Sequence, residues 1–346
     1  MEYFDFRSDT VTQPTQAMRF AMAQAEVGDD VYGEDPTVNA LEKQAAELMG
    51  MDSGLFVTSG TMGNLLAVLA NCERGDEVIM GQQGHTFLHE AGGVSALGGV
   101  VIHTVPNQPD GTLSMEDLTG ALRFPGDIHE PISKMVILEN TQNSCGGMAL
   151  SPTYSDQTGL FALEHGLVMH VDGARIFNAA IALDVPAKKL VRAADSVTFC
   201  LSKGLCAPVG SVLCGSADFI RKARRLRKML GGGMRQAGVL AAAGLVALDT
   251  MVERLAEDHI RARALADGLS ALPGLRIDKG TPCTNMLYLM LDPDIPQNAD
   301  QIVEQLKQQG ILIGATGERT FRLVTHHDVD DRAVEACVRA FKRLPL

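Results

Sequence analysis

The sequence predicts an α/β protein, with a large domain on a mostly parallel seven-stranded sheet and a smaller C-terminal α+β domain. Three observations predict it. Apolar, β-branched runs alternate with helix-period segments over about 160 residues. Polar or glycine-containing turns bound the runs, and strands buried on both faces of a parallel sheet read in this continuous way. After Pro273 the pattern changes to short strands with two helices.

Residues 1–35 are polar and irregular apart from a short helical run at 15–24. Such a segment has little apolar surface to bury alone, so it is expected to drape over another part of the molecule or a second subunit. Over 36–49 the spacing of Val38, Leu41, Ala45 and Leu48 is helical. Seven strands are then expected at 55–57, 77–80, 100–105, 135–138, 167–171, 197–201 and 211–214. Helices fall between most of them, at 63–72, 90–97, 114–122 and 155–165. A long helix is expected over 234–266, broken near Asp249. Four short strands follow, at 275–277, 286–291, 311–313 and 321–324, with helices at 300–309 and 330–343. The chain thus divides into an arm (1–35), a large domain (36–253) and a small domain (254–346).

Composition narrows the function. With 346 residues the chain can bury a large core, and 46% hydrophobic and 21% charged residues are ordinary for a globular protein. A formal net charge of −12 argues against a nucleic-acid or anionic-membrane partner. Seven scattered cysteines without a Cys-x-x-Cys support neither a disulfide framework nor a metal site. The N-terminus has no apolar core of signal length, and the longest apolar stretch, 237–248, is too short to span a bilayer. A cytoplasmic protein is expected. The basic run Arg221 to Lys228 is a solvated helix face, or a cationic wall near a bound phosphate.

In such sheets ligands sit at the carboxyl ends of the strands, and the chemically interesting residues cluster there. Lys203 follows the apolar run 197–201 in Ser202-Lys203-Gly204, with no carboxylate beside it. Partial desolvation disfavours an ammonium ion and frees the amine to attack an aldehyde. The competing reading is a lysine that ends a strand and points to solvent. Asp172 ends another strand in His170-Val171-Asp172-Gly173-Ala174-Arg175, where a carboxylate needs a partner. Arg175 is one, and a protonated ring nitrogen is another. Ser59, Gly60 and Thr61 open an apolar helix, as a simple cap or as a phosphate site at a helix N-terminus. Lysine, aspartate and phosphate turn together match what pyridoxal phosphate requires. His85, His89 and Glu90 crowd the turn after another strand, where an imidazole can stack on a ring or move a proton. Asp127-Ile128-His129-Glu130 is a weaker grouping of the same kind. Arg235 follows three glycines at a helix start, suited to a phosphate or carboxylate. Arg322 lies inside an apolar strand without a nearby acid, and reads as a carboxylate binder.

Taken as a set, these segments resemble the threonine aldolases, pyridoxal-phosphate lyases of fold type I. The resemblance is carried by Arg7-Ser8-Asp9-Thr10-Val11-Thr12, Gly28 to Leu41, Ser59 to Asn64 and Asp172 to Ala179. Leu201-Ser202-Lys203-Gly204, Gly231 to Gln236 and Arg322-Leu323-Val324-Thr325-His326 complete it. It implies that Lys203 holds the cofactor covalently, Asp172 pairs with the pyridine nitrogen, Gly60 and Thr61 bind the phosphate, and His85 lies over the ring. Arg175 is implied near the ring oxygen and the substrate carboxylate, which Ser8 and Arg322 bind. Arg235 and Tyr32 are implied at an interface where active sites are shared, so the expected assembly is a homo-oligomer, at least a dimer and commonly a tetramer. The chain departs from the family at Gln142, where histidine is usual, at His89, where a larger aromatic residue is expected, and at Glu130, where an apolar residue is usual.

The expected reaction is cleavage of an L-β-hydroxy-α-amino acid, most simply L-threonine or L-allo-threonine, to glycine and an aldehyde. His85 is the first candidate for the base on the β-hydroxyl and His129 the second. A β-eliminating lyase or aminotransferase of the same fold is the nearest alternative, and a non-catalytic ligand-binding protein the alternative from another class.

Overall fold

The computed structural model of the chain describes residues 3–124 and 126–345, so the arm's first two residues and the C-terminal residue lie outside it. The strands are β1 (Phe4–Asp5), β2 (Ser53–Val57), β3 (Asp76–Gly81), β4 (Val101–Val105), β5 (Ile132–Glu139), β6 (Val168–Asp172), β7 (Ser196–Cys200) and β8 (Ser211–Gly215), followed by β9 (Leu275–Ile277), β10 (Met286–Leu291), β11 (Ile311–Leu312), β12 (Gly314–Gly317) and β13 (Thr320–Val324). The large sheet has seven strands in the order β2-β8-β7-β6-β5-β3-β4. Among the described residues only β8 runs against its neighbours, pairing antiparallel with both β2 and β7. The remaining pairs are parallel, so the carboxyl ends of β2, β3, β5, β6 and β7 share one edge.

Helices cover both faces, which is why every residue of β7 is buried. Phe56, Val136, Val171 and Phe199 enter one core with Ala241 and Ala243 of the helix Gly238–Thr250. Leu55 and Val57, one residue either side of Phe56, enter the other with Leu66 and Ala223. That is the period-2 alternation of a strand. The helix expected over 234–266 is two helices, Gly238–Thr250 and Leu255–Ser270.

The C-terminal part carries a four-stranded antiparallel sheet, β12-β13-β10-β9. Its membership differs from the expected set. β11 leaves it to pair in parallel with β1, and the glycine-rich β12 takes the edge beside β13. The polar arm therefore drapes over the C-terminal part of its own chain, where Phe6 is fully buried in the core with Leu323 and Phe341. Met18, from the arm's helix Gln16–Gln24, is instead buried in the large core.

The basic run lies on the helix Ala217–Met229, and it is not simply a solvated face. Arg227 is buried, donating to Asp30 Oδ2 and to the Phe56 carbonyl, each at 2.6 Å. Arg224 reaches Glu42 Oε2 at 2.6 Å. Two arginines of the run thus fasten the arm and the helix Pro36–Met49 to the sheet. Among the described residues no helix is long and apolar enough to cross a membrane.

Candidate active site

The shared carboxyl edge brings the predicted residues together. Asp172 is the last residue of β6, and Lys203 lies three residues beyond β7, the adjacent strand. On the far side of β7 the helix Gly60–Asn71 starts after β2, capped by Ser59, whose hydroxyl accepts the Met62 amide at 3.1 Å. The helix can approach because Gly63 rests on Thr198 of β7. A Cβ there would lie 2.5 Å from Thr198 Cγ2. The first-turn amides and the positive end of the dipole thus face the edge of the sheet.

Asp172 is buried, and Arg175 is not its partner. Its Oδ2 accepts from Asn64 Nδ2 at 2.9 Å and from the Thr86 hydroxyl at 3.4 Å, while Oδ1 accepts the Ala174 amide at 3.3 Å. Arg175 instead grips Asp9 in a bidentate pair, Nε to Oδ2 at 2.6 Å and Nη2 to Oδ1 at 2.5 Å. Burial alone would raise the Asp9 pKa, but Arg175, with help from Lys203 and Asn285, holds it well below the usual carboxylate range. The arm therefore closes the site. Asp9 carries Arg175, Asn285 donates to Asp9 Oδ2 at 3.2 Å, and the Thr12 hydroxyl donates to the Lys203 carbonyl at 2.9 Å. Ser8 caps this turn by accepting the Thr10 amide at 3.3 Å.

His85 begins the short helix His85–Leu88 after β3. Its Nδ1 lies 2.9 Å from Glu90 Oε1, and one side-chain nitrogen or oxygen from each of His85, Glu90 and Asp172 lies within 4.8 Å of the others. The hydrogen bond to Glu90 raises the His85 pKa above its ordinary 6.5, with burial opposing it. Behind them Asn64 Nδ2 donates to Glu90 as well as to Asp172, and its Oδ1 meets His170 Nε2 at 3.1 Å. His170 Nδ1 reaches the Ser196 hydroxyl at 2.8 Å, and burial lowers this imidazole to about 4. Arg322, on β13, donates to Asn143 Oδ1 at 3.0 Å and to the Arg7 carbonyl at 3.3 Å. It lines a cleft of about 570 Å³ with Asn143, Tyr288, Lys279 and His89.

Three predicted residues lie elsewhere. His129 is exposed in the loop before β5, its amide held by Asp127 Oδ1 at 2.8 Å. The eight residues of β5 separate that loop from the carboxyl edge, so His129 is not in the site built by its own chain. Tyr32 is 75% exposed. Arg235 is on the surface too, donating to Asp29 Oδ2 at 2.8 Å.

Asp9, Asn64 and Glu139 were not singled out from sequence. Asp9 had a signal in the polar Arg7-Ser8-Asp9-Thr10 run. Asn64 had a weaker one, as an amide at a position where the following helix is otherwise apolar. Glu139 ends an apolar strand as Asp172 does, and the same argument about unpaired strand-end carboxylates applies to it.

The Beta-eliminating lyase family matches residues 5–292. Low-specificity L-threonine aldolase 1 of Arabidopsis thaliana is 47% identical over 348 residues, covering 100% of this chain and 97% of its own. The low specificity L-threonine aldolase of Escherichia coli K12 is 46% identical over 327 residues, 94% of either chain. The fold is also that of Leishmania major threonine aldolase, with a TM-score of 0.84 at 24% identity over 98% of this chain and 99% of that one. The chain belongs to the Beta-eliminating lyase family, in the group of the low-specificity L-threonine aldolases.

Proposed function

We propose that this chain is a pyridoxal-phosphate-dependent lyase that cleaves L-threonine, L-allo-threonine and related L-β-hydroxy-α-amino acids to glycine and an aldehyde. The observation that carries this is the placement of Lys203 and Asp172 on adjacent strand ends facing the start of the helix Gly60–Asn71. An amine, a carboxylate and a helix N-terminus match the three polar ends of the cofactor: aldehyde, ring nitrogen and phosphate. Lys203 would hold the aldehyde carbon, Asp172 the ring nitrogen, and Ser59, Gly60 and Thr61 the phosphate. When bound, the group supplies an electron sink for the pair released as Cα–Cβ breaks.

The chain's own residues do the rest. Lys203 would give up its place to the substrate amine. Arg322 and Ser8 bind the substrate carboxylate and fix the orientation of its Cα–Cβ bond, while Arg175, fixed by Asp9, keeps positive charge beside them. His85 takes the β-hydroxyl proton. Its Nδ1 is engaged by Glu90, which leaves Nε2 to act as base. His129 can serve only a neighbouring subunit's site. Exposed Tyr32 and Arg235 likewise support a homo-oligomer with shared sites, which we take to be a tetramer in the cytoplasm. The arm (1–35), the large domain (36–253) and the small domain (254–346) are its units, and substrate binds where the three meet.

Rates with L-threonine, L-allo-threonine and their D-forms test the assignment. Glycine plus acetaldehyde from the L-forms is expected, and efficient D-cleavage overturns it. The family name favours one second reading, β-elimination at the same site. Release of ammonia and a keto acid, in place of glycine, would establish that reading instead.

A further inference from the structure

Glu139 ends β5 directly beside Asp172, its register partner on β6. None of the roles above uses it, yet its two oxygens serve different parts of the site. Oε2 accepts the amide of His85 at 2.6 Å, at the start of the helix that carries the imidazole. Oε1 accepts the amide of Asn143 at 2.9 Å. Asn143 in turn holds Arg322 through its Oδ1 at 3.0 Å, and the Tyr288 hydroxyl donates to the Asn143 carbonyl at 2.9 Å. One carboxylate therefore joins the turn bearing the candidate base to the turn bearing the carboxylate clamp.

We infer that Glu139 is a positioning residue that fixes the His85 turn and the Asn143–Arg322 clamp at one spacing, so that the substrate's β-hydroxyl and carboxylate are engaged together. The inference rests on the reading that His85 and Arg322 act on substrate. Glutamate suits the role on simple grounds. Aspartate is one methylene shorter, and glutamine would turn an NH₂ group toward one of the two amides, donor against donor. An ionised carboxylate here works against its surroundings, since burial and then the charge on Asp172 push Glu139 up to about 7. The two amides and the nearby His85 offset part of that cost.

The test compares the wild-type holoenzyme with Glu139→Gln, Asn143→Ala and the double variant. Circular dichroism checks folding, L-threonine kinetics give kcat and KM, and calorimetry measures glycine binding independently of turnover. Asn143→Ala is expected to raise KM and weaken glycine binding about tenfold while kcat stays within about twofold. Glu139→Gln is expected to weaken glycine binding to a similar extent and also to lower kcat about tenfold. In the double variant glycine binding should be no weaker than in Glu139→Gln alone, because both substitutions act through Arg322. A folded Glu139→Gln with unchanged glycine affinity and kcat overturns the inference, and so do losses of glycine affinity that multiply in the double variant. Should Glu139→Gln not fold, unchanged glycine affinity in Asn143→Ala overturns it as well. His85→Asn and Arg322→Ala, made in parallel, separate the two levels: if both leave turnover and glycine binding intact, it is the underlying reading of the site that fails.

Discussion

Lys203 is tied into its loop through its backbone. Its carbonyl accepts both the Thr12 hydroxyl and the Cys206 amide, each at 2.9 Å, and an alanine would keep both bonds. Lys203→Ala should therefore abolish turnover, by roughly a thousandfold or more, while the melting temperature and circular dichroism spectrum stay near wild type. A folding defect of the same size as the activity loss would contradict a purely chemical role. At His85 the sign of the pH effect follows from its partner. Glu90 raises the imidazole pKa, and a base must be neutral to accept a proton, so kcat/KM should fall on the acidic side of a limb lying above 6.5. Glu90→Gln removes the carboxylate, moves that limb to lower pH and lowers the plateau by roughly tenfold. A pH–rate profile of the two proteins checks this, and an unmoved limb would mean that another group controls it.

At the scale of elements, the helix Gly60–Asn71 reaches the sheet edge only because residue 63 has no side chain. Thr198, short, buried and held in β7, has no room to retreat. Gly63→Ala should push the first turn off the sheet and weaken cofactor retention about tenfold, seen by titrating apoprotein with pyridoxal phosphate and following the visible band. The helix Ala217–Met229 makes the complementary point. Arg227→Met leaves Asp30 buried beside only the more distant Arg224, at 3.7 Å, and should cost on the order of 3 kcal/mol in denaturant unfolding. A cost near zero would mean that the buried pair contributes nothing net. These two helices also show what the sequence could convey. The turn at Ser59–Thr61 and the strands of the large sheet were legible, because apolar runs between turn residues report burial on both faces. The inward arginines were not, since their partners at Asp30, Glu42 and Phe56 are over 170 residues away along the chain. Long separations also hid the Asp9–Arg175 pair, 166 residues apart, and the two-residue β1, whose meaning depends on β11 near the other end of the chain. His129 shows the converse limit: a histidine among acids resembles a site, but only the topology reveals that it precedes β5, at the sheet edge away from its own chain's Lys203 and Asp172.

For the whole molecule, the arm is the part that unites the site. β1 and Phe6 anchor it to the C-terminal core, Asp9 fixes Arg175, Thr12 holds the Lys203 loop, and Asp30 locks onto Arg227. Past Asp30 the same arm exposes Tyr32, and Asp29 orients the half-exposed Arg235. Residues so carefully placed, yet outside their own chain's site, suit a role across an interface, and complementation separates that role from a surface ion pair. Arg235→Ala should bind pyridoxal phosphate weakly, and Lys203→Ala should be inactive. When the two are unfolded together and refolded, a mixed pair has one site with an intact Lys203 and a neighbour's intact Arg235. For random pairing, activity should return to roughly a quarter of wild type at cofactor levels where neither parent is active. If Arg235 served only its own chain, each mixed site would carry one defect or the other, and mixing would restore nothing.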